Sequence, residues 1–377
     1  MDLSLTEEQE MLKKMARDFL DREAPKAYVR AMEEDTRGFT PETWEKLAGL
    51  GWLGLALPEK YGGSGGGFLD LCVLLEEMGR ALLPGPFFST VLLGAYTLLD
   101  AGSEEQKKEL LPRVARGERI LTLALTEPSA TWEAKGVQLT AKAKGADYVL
   151  DGTKLFVPDA HVADDIIVTA RTGRSAKPEN GVSLFLVSGK APGVTTTVLK
   201  TIASDKQCEV VFDGVAVPAR DLVGALNKGW PVVEKTLQRA AVAKCAEMVG
   251  GAQRVLEMTV DYAKQRVQFG RPIGSFQAIQ HYCANMVTDV DGARFVTYEA
   301  AWRLQEGLPC AKEVSMAKAW TSEAYRRVTA LGHQIHGGIG FTKEHDMQLY
   351  FRRAKAAELA FGDADFHRER VAQQMGL

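Results

Sequence analysis

The residues that could do chemistry gather toward the C-terminus. An apolar helical pattern through Ala324, Val328, Leu331 and Ile335 runs into Gln334-Ile-His-Gly-Gly-Ile-Gly-Phe-Thr. Its glycines end the helix and let a backbone approach another group closely. His333 and His336, three apart, could share a helix face, but no carboxylate completes a metal set, and His281, His345 and His367 are scattered. No metal site is expected. Glu358, Asp363 and Asp365 are the carboxylates nearest Phe361-Gly362. A carboxylate turned into an apolar pocket would have the raised pKa a base requires. An aspartate just after a glycine is equally placed to cap a helix. The run Tyr61-Gly-Gly-Ser-Gly-Gly-Gly67 has the composition of a phosphate cradle. No strand precedes it and no Gly-Lys-Ser/Thr follows, so it reads as a connecting loop.

Three blocks of differing texture must position these groups, an α+β organisation. Residues 1–117 read as an α-helical domain. Thr6-Glu-Glu-Gln9 and Ser103-Glu-Glu-Gln106 have capping-box spacing, and Thr40-Pro41 is another helix start. Leu69 to Leu83 and Phe87 to Leu99 read as largely buried helices. Residues 118–225 hold short runs rich in Val, Ile, Thr and Phe, from Ile120–Leu125 to Glu209–Phe212. Lys144-Gly, Asp151-Gly, Asn180-Gly and Asp213-Gly are turn signals among them, so an antiparallel β domain is expected. Residues 226–377 return to long helices.

The 377 residues suffice for two or three domains and a large core. A net charge of −3 suggests neither a nucleic-acid groove nor an anionic membrane surface. The five cysteines lie far apart with no C-x-x-C pair, which fits reduced thiols and a cytoplasmic location. No apolar run is long enough to span a bilayer, so no membrane insertion is expected.

Arg266-Val-Gln-Phe-Gly-Arg-Pro-Ile-Gly-Ser-Phe-Gln-Ala-Ile-Gln280 and the glycine turn after Gln334 resemble the acyl-CoA dehydrogenase family of flavoproteins, in its order and at about its spacing. The resemblance extends from Leu5-Thr-Glu-Glu-Gln to the C-terminal helices. It implies an N-terminal helical domain, a middle β domain and a C-terminal four-helix domain, with FAD as cofactor. The implied reaction removes the α-proton of an acyl-CoA thioester while the β-hydrogen leaves as hydride to flavin. Thr126, in Thr126-Glu-Pro128, and Leu125 just before it would lie along the flavin edge, and Phe156 would present an aromatic face to it. Pro158 stands at the flavin N5 contact, where proline has neither N–H nor hydroxyl. Arg266, Phe269 and Gln277 match an arm that meets the pyrophosphate and ribose of a cofactor shared with a neighbouring subunit. An arginine fork suits pyrophosphate because it donates to two oxygens at once. Gln334, Gly337, Gly338 and Asp363 match the groups beside the adenosine portion. Arg239 matches an arginine near the acyl-CoA, and Trp132 replaces a small serine there.

The resemblance breaks at the base. Ala360-Phe361-Gly362-Asp363 stands where the family reads Tyr-Glu-Gly-Thr. Phe361 keeps the backbone N–H that would help hold the thioester oxygen but cannot take a proton. Gln238 fills the alternative position where some relatives carry their glutamate, and Asp363 is the remaining candidate. Several readings stay open: a subunit of a hetero-oligomer that lacks its own base; a homotetramer, a dimer of dimers, using Asp363; a flavin oxidase or monooxygenase on the same fold; and a non-catalytic partner subunit. Electron-transfer flavoprotein is the expected electron acceptor.

Overall fold

A computed structural model describes residues 4–377. The chain opens with helices α1 (Glu7–Glu23), α2 (Lys26–Glu34), α3 (Pro41–Gly49), α4 (Phe68–Ala81), α5 (Tyr96–Ala101) and α6 (Glu104–Ala115). Strands follow: β1 (Leu121–Ala124), β2 (Thr140–Lys144), β3 (Asp147–Pro158), β4 (Asp165–Arg171), β5 (Val182–Ser188), β6 (Val194–Leu199), β7 (Gln207–Val217) and β8 (Leu222–Val223). Then come α7 (Trp230–Gln265), a hairpin of β9 (Val267–Gln268) and β10 (Arg271–Pro272), and α8 (Gln277–Gln305), α9 (Ala311–His336), α10 (Met347–Leu359) and α11 (Ala364–Gln374). The architecture is therefore helical, then β, then a helical bundle. The helix starts behave as their residues require: Thr6 and Ser103 form reciprocal capping boxes with Gln9 and Gln106, and Thr40 caps α3 ahead of Pro41.

The chain divides into two compact units. One comprises Met32–Gly66 and Pro84–Ala240. Its sheet runs β6-β7-β3-β2-β4-β5-β8, with β1 beside β4. Leu139, Leu150, Val157, Ile166, Val168, Phe185, Val210 and Phe212 make its core. Three expectations are corrected here. The sheet is not wholly antiparallel, because β1 pairs with β4 in parallel, Leu121 opposite Asp165. A four-residue, fully buried strand carries no alternation from which direction could be read. Asp151-Gly152 and Asp213-Gly214 are not turns between strands; they lie inside β3 and β7. There the register slips between Leu150 and Gly152, and Asp151 Oδ1 accepts from Gly214 N at 3.1 Å, so the two dipeptides form one bulge. The expected helix from Phe87 to Leu99 is wider-wound over Ser89–Ala95, a π-helical stretch, before it tightens into α5.

The other unit comprises Met1–Ala31, Gly67–Leu83 and Ala241–Leu377. Val249, Ala293 and Ala324 meet where α7, α8 and α9 pack. Buried ion pairs tie α1 to α4: Arg17 grips Glu77 with two bonds of 2.9 and 2.7 Å, and Lys13 reaches Glu76 at 3.2 Å. Helices α4 and α7 touch backbone to backbone. A Cβ at Gly250 would lie 1.7 Å from the Glu76 carbonyl oxygen, and one at Gly79 only 2.0 Å from that of Glu247.

Candidate functional site

In the β unit, the expected flavin-edge residues are held by a buried ion pair. Lys154 has no solvent exposure; its Nζ donates to Glu127 Oε1 at 2.7 Å, Thr169 Oγ1 at 2.8 Å and Leu125 O at 3.1 Å. Burial pushes the Lys154 ammonium down to about 8 against the pull of Glu127. Glu127 in turn accepts from the backbone N–H groups of Gln138 and Leu139, each at 3.0 Å. Leu155 N donates to Thr126 O at 2.8 Å, which lashes the end of β1 to β3. Lys154 and Val157 both point inward because a second bulge lies between them. Within it, Phe156 takes a left-handed backbone, φ +53°, and stays 50% exposed. Thr122 Oγ1 donates to Pro158 O at 2.6 Å, so that proline is gripped through its carbonyl. Trp132 is half-buried in the loop between β1 and β2. Neither Glu127 nor Lys154 has a role that the sequence assigns. Two opposite charges inside segments otherwise reading as buried β structure were the available signal.

Arg239 is not a surface arginine at a helix start. It sits well inside α7, its side chain 15% exposed, paired with Asp100 and stacked over the Tyr96 ring with Cζ 4.7 Å from the centroid. Lys235 reaches the same carboxylate at 2.7 Å. The Arg239 guanidinium is thus paired within its own unit, on a carboxylate it shares with Lys235. Gln238, beside it, is half-buried.

In the helical unit, Arg266 stands where α7 passes into the β9–β10 hairpin, closed by Ile273 N donating to Arg266 O at 2.8 Å. Phe269 at the tip has φ +53° and is 90% exposed. Its ring meets Phe276 edge-on at 6.1 Å, and Arg271 Cζ lies 4.1 Å from the centre of the Phe276 ring. Gln277 begins α8, and Gln334 lies in the last turn of α9. Arg266, Gln277 and Gln334 are all exposed, and among the described residues their side chains have no hydrogen-bond partner. Gly337 ends α9 with φ +63°, and nothing lies within 4 Å of a Cβ built on it or on Gly338. The helix behind this turn is stiffened by rings. Tyr262 stacks on His336 at 4.4 Å, and His333 lies between Phe341 and Phe351 at 4.7 and 5.0 Å. An arginine, two amides and an open, side-chain-free turn are the donor set and the cradle a dinucleotide needs, so these residues fit FAD.

Asp363 spends one of its two carboxylate oxygens locally. It is the N-cap of α11, its Oδ1 accepting from Phe366 N at 2.9 Å, the alternative its place after a glycine allowed. Phe361 is half-buried and left-handed, φ +60°, a conformation that costs an L residue roughly 1–2 kcal/mol. His367 Nε2 lies 3.0 Å from Phe361 O. Since a carbonyl only accepts, Nε2 carries the proton. Burial pushes the ring down to about 4, so it is neutral near pH 7. Lys318, fully buried on α9, donates to Glu358 O and Gly362 O. Neither Lys318 nor this role of His367 was found from the sequence, which showed only one lysine in a helix and one isolated histidine.

Known proteins agree with this architecture. Family models for the acyl-CoA dehydrogenase N-terminal, middle and C-terminal domains match residues 6–118, 122–215 and 227–376. The chain belongs to the acyl-CoA dehydrogenase family. It is 36% identical over 381 residues to the probable acyl-CoA dehydrogenase YngJ of Bacillus subtilis, covering all of both chains. Among solved structures it resembles butyryl-CoA dehydrogenase from Megasphaera elsdenii, with TM-score 0.93, 31% identity and full coverage of both chains. It also resembles a chain of the ChsE4–ChsE5 complex from Mycobacterium tuberculosis, with TM-score 0.91 and 32% identity, covering 100% of this chain and 99% of that one. No helix among the described residues is long and apolar enough to cross a membrane.

Proposed function

We propose that this protein takes part in FAD-dependent α,β-dehydrogenation of an acyl-CoA thioester, as a subunit whose proton acceptor is supplied from outside its own chain. The reaction breaks two C–H bonds, one α and one β to the thioester carbonyl. Bound FAD would supply the acceptor for the β-hydrogen, which leaves as hydride. This chain's residues do the remaining work of holding and polarising. Leu125, Thr126 and Phe156 offer backbone and an aromatic face to the flavin ring, while Pro158 offers no donor. Arg266, Gln277, Gln334 and the Gly337-Gly338 turn bind the nucleotide portion, with Phe269 at the tip of the arm. The Phe361 N–H donates to the thioester oxygen and so makes the α-proton more acidic. Trp132, Gln238 and Arg239 border the acyl-CoA.

The observation that carries the proposal is an asymmetry of side chains. The nucleotide-binding donors are kept and left without partners inside the protomer. Both positions for a carboxylate base carry groups that cannot accept a proton, Gln238 and Phe361. Asp363 is occupied as a helix cap. A second, related chain would complete the site, and ChsE4–ChsE5 is a neighbouring fold described as a complex of two named components. Electron-transfer flavoprotein is the acceptor we assign. The test is expression of the chain alone and together with a related subunit. Flavin content and acyl-CoA oxidation should be low for the chain alone and rise together on co-expression. Full flavin occupancy with turnover by the chain alone would reject the proposal.

A further inference from the structure

The turn between α10 and α11 is pinned from beneath by side chains that none of the expected roles uses. Lys318 donates to three neutral oxygens: Gly362 O at 2.8 Å, Glu358 O at 2.9 Å and Ser322 Oγ at 3.0 Å. Nearby Glu358 turns its carboxylate elsewhere, to Lys355 at 3.1 Å and Arg326 at 3.4 Å. His367 holds Phe361 O, and Asp363 caps the helix that follows. Gly362 has no room for a side chain, since a Cβ there would come 2.3 Å from Phe366 Cδ1.

A buried ammonium with no carboxylate among its hydrogen-bond partners is a costly way to end a helix, because the Glu358 and Asp363 charges, neither bonded to it, return only part of the desolvation it suffers. Burial pushes Lys318 down to about 8. A helix C-terminus can be satisfied by water or a glycine cap without any such group. What this lysine achieves, and those devices do not, is to fix the carbonyls on either side of Phe361 together. With His367 on the Phe361 carbonyl itself, the carbonyls of Glu358, Phe361 and Gly362 are clamped around one left-handed residue. Backbone conformations of this kind persist where the surroundings over-determine them, and they concentrate at functional positions.

We propose that Lys318 and His367 are positioning residues that aim the Phe361 amide at the thioester oxygen of a bound acyl-CoA. This rests on the function proposed above. It implies that the site retains the carbonyl-polarising half of the chemistry although its own base is gone. Preorganised donors act strongly because they need not reorient as charge develops on the oxygen.

The test uses a ligand that ionises without a protein base. Acetoacetyl-CoA loses its C2 proton to solvent, and the electron pair left behind spreads onto the thioester and keto oxygens. Beside an oxidised flavin the resulting enolate gives a long-wavelength absorbance. The flavin-loaded protein, purified with any subunit that accompanies it, is titrated with pH in the presence of this ligand. The apparent pKa of the bound ligand should lie well below that of the free one. Lys318→Met should raise it by about one unit, a tenfold loss of enolate stabilisation, and His367→Phe should raise it by a smaller amount. A loss of rigidity elsewhere would lower melting temperature or flavin content without moving this pKa. If Lys318→Met fails to fold, His367→Phe decides. An unmoved ligand pKa in folded, flavin-loaded variants overturns the inference and leaves the proposed function standing. A wild-type protein that binds flavin yet never lowers the ligand pKa overturns the polarising role of Phe361, and this inference with it.

Discussion

The arm around Arg266 and the turn around Phe361 belong to the same helical unit and are built in opposite ways. The arm closes its own backbone and leaves Arg266 and Gln277 exposed and, among the described residues, without a side-chain hydrogen-bond partner. The turn is held by Lys318, His367 and Asp363, each bonded to backbone groups there. The difference shows where each region's purpose lies. In the function proposed above, residues that do nothing for their own fold, yet match a family motif, serve something outside the protomer. Residues over-committed to one backbone conformation are there to keep that conformation.

The comparison can be broken by substitution, beginning where the effect should be greatest. The flavin-edge region of the β unit is of the internally clamped kind, and its clamp is ionic. Glu127→Leu should cost roughly 3–5 kcal/mol in chemical denaturation, because it strands the buried Lys154 charge. A loss near zero would show that the pair does not brace β1 and β3.

His367 gives the clamped turn a pH dependence. Its folded-state value, about 4, lies below the ordinary histidine value of 6.5, so the folded protein favours the neutral ring. The stability it contributes is present above about pH 6.5 and is lost as pH falls through about 4. Lys318 and Arg370 oppose its protonation, while Asp363 and the Phe361 carbonyl favour it. The melting-temperature gap between wild type and His367→Gln should therefore narrow from pH 7 to pH 4. A constant gap would detach His367 from the turn's stability.

Asp363 separates capping from catalysis. Asp363→Ala should cost about 1 kcal/mol, and Asp363→Asn much less, because asparagine caps as well as aspartate. If the cap is the whole of its role, the Asn variant keeps the wild-type rate in whatever assembly is active. Abolished turnover in a stable Asn variant would instead make Asp363 the base. The smallest effect on folding belongs to the arm. Arg266→Ala should change apoprotein stability by less than about 0.5 kcal/mol while it lowers FAD content. A large stability loss without loss of flavin would erase the contrast between the two regions.

Much of this architecture is legible in the chain. Helix starts announce themselves through local capping chemistry at Thr6, Thr40 and Ser103, which needs no tertiary partner. The α, β, α succession follows from hydrophobic period, and the motifs at Arg266 and Gln334 are long enough to mark the family. What escaped depends on partners distant in sequence. Asp151-Gly152 reads as a turn until Asp213-Gly214 is seen opposite it, 62 residues on, sharing its bulge. Lys318 is an ordinary helix lysine until the fold buries it beneath Gly362. At Asp363 the sequence allowed a cap or a base, and the structure shows the cap bond to Phe366.

The crossing of α4 over α7 carries no chemistry, yet it constrains inheritance more tightly than any residue discussed so far. A Cβ added at Gly79 or Gly250 would fall within 2.0 Å of the opposite main chain, so any side chain at either codon jams the pair. A descendant that had drifted to a new substrate, or lost every activity, would still spell glycine at both places. Libraries built to diversify this protein should leave those two codons alone.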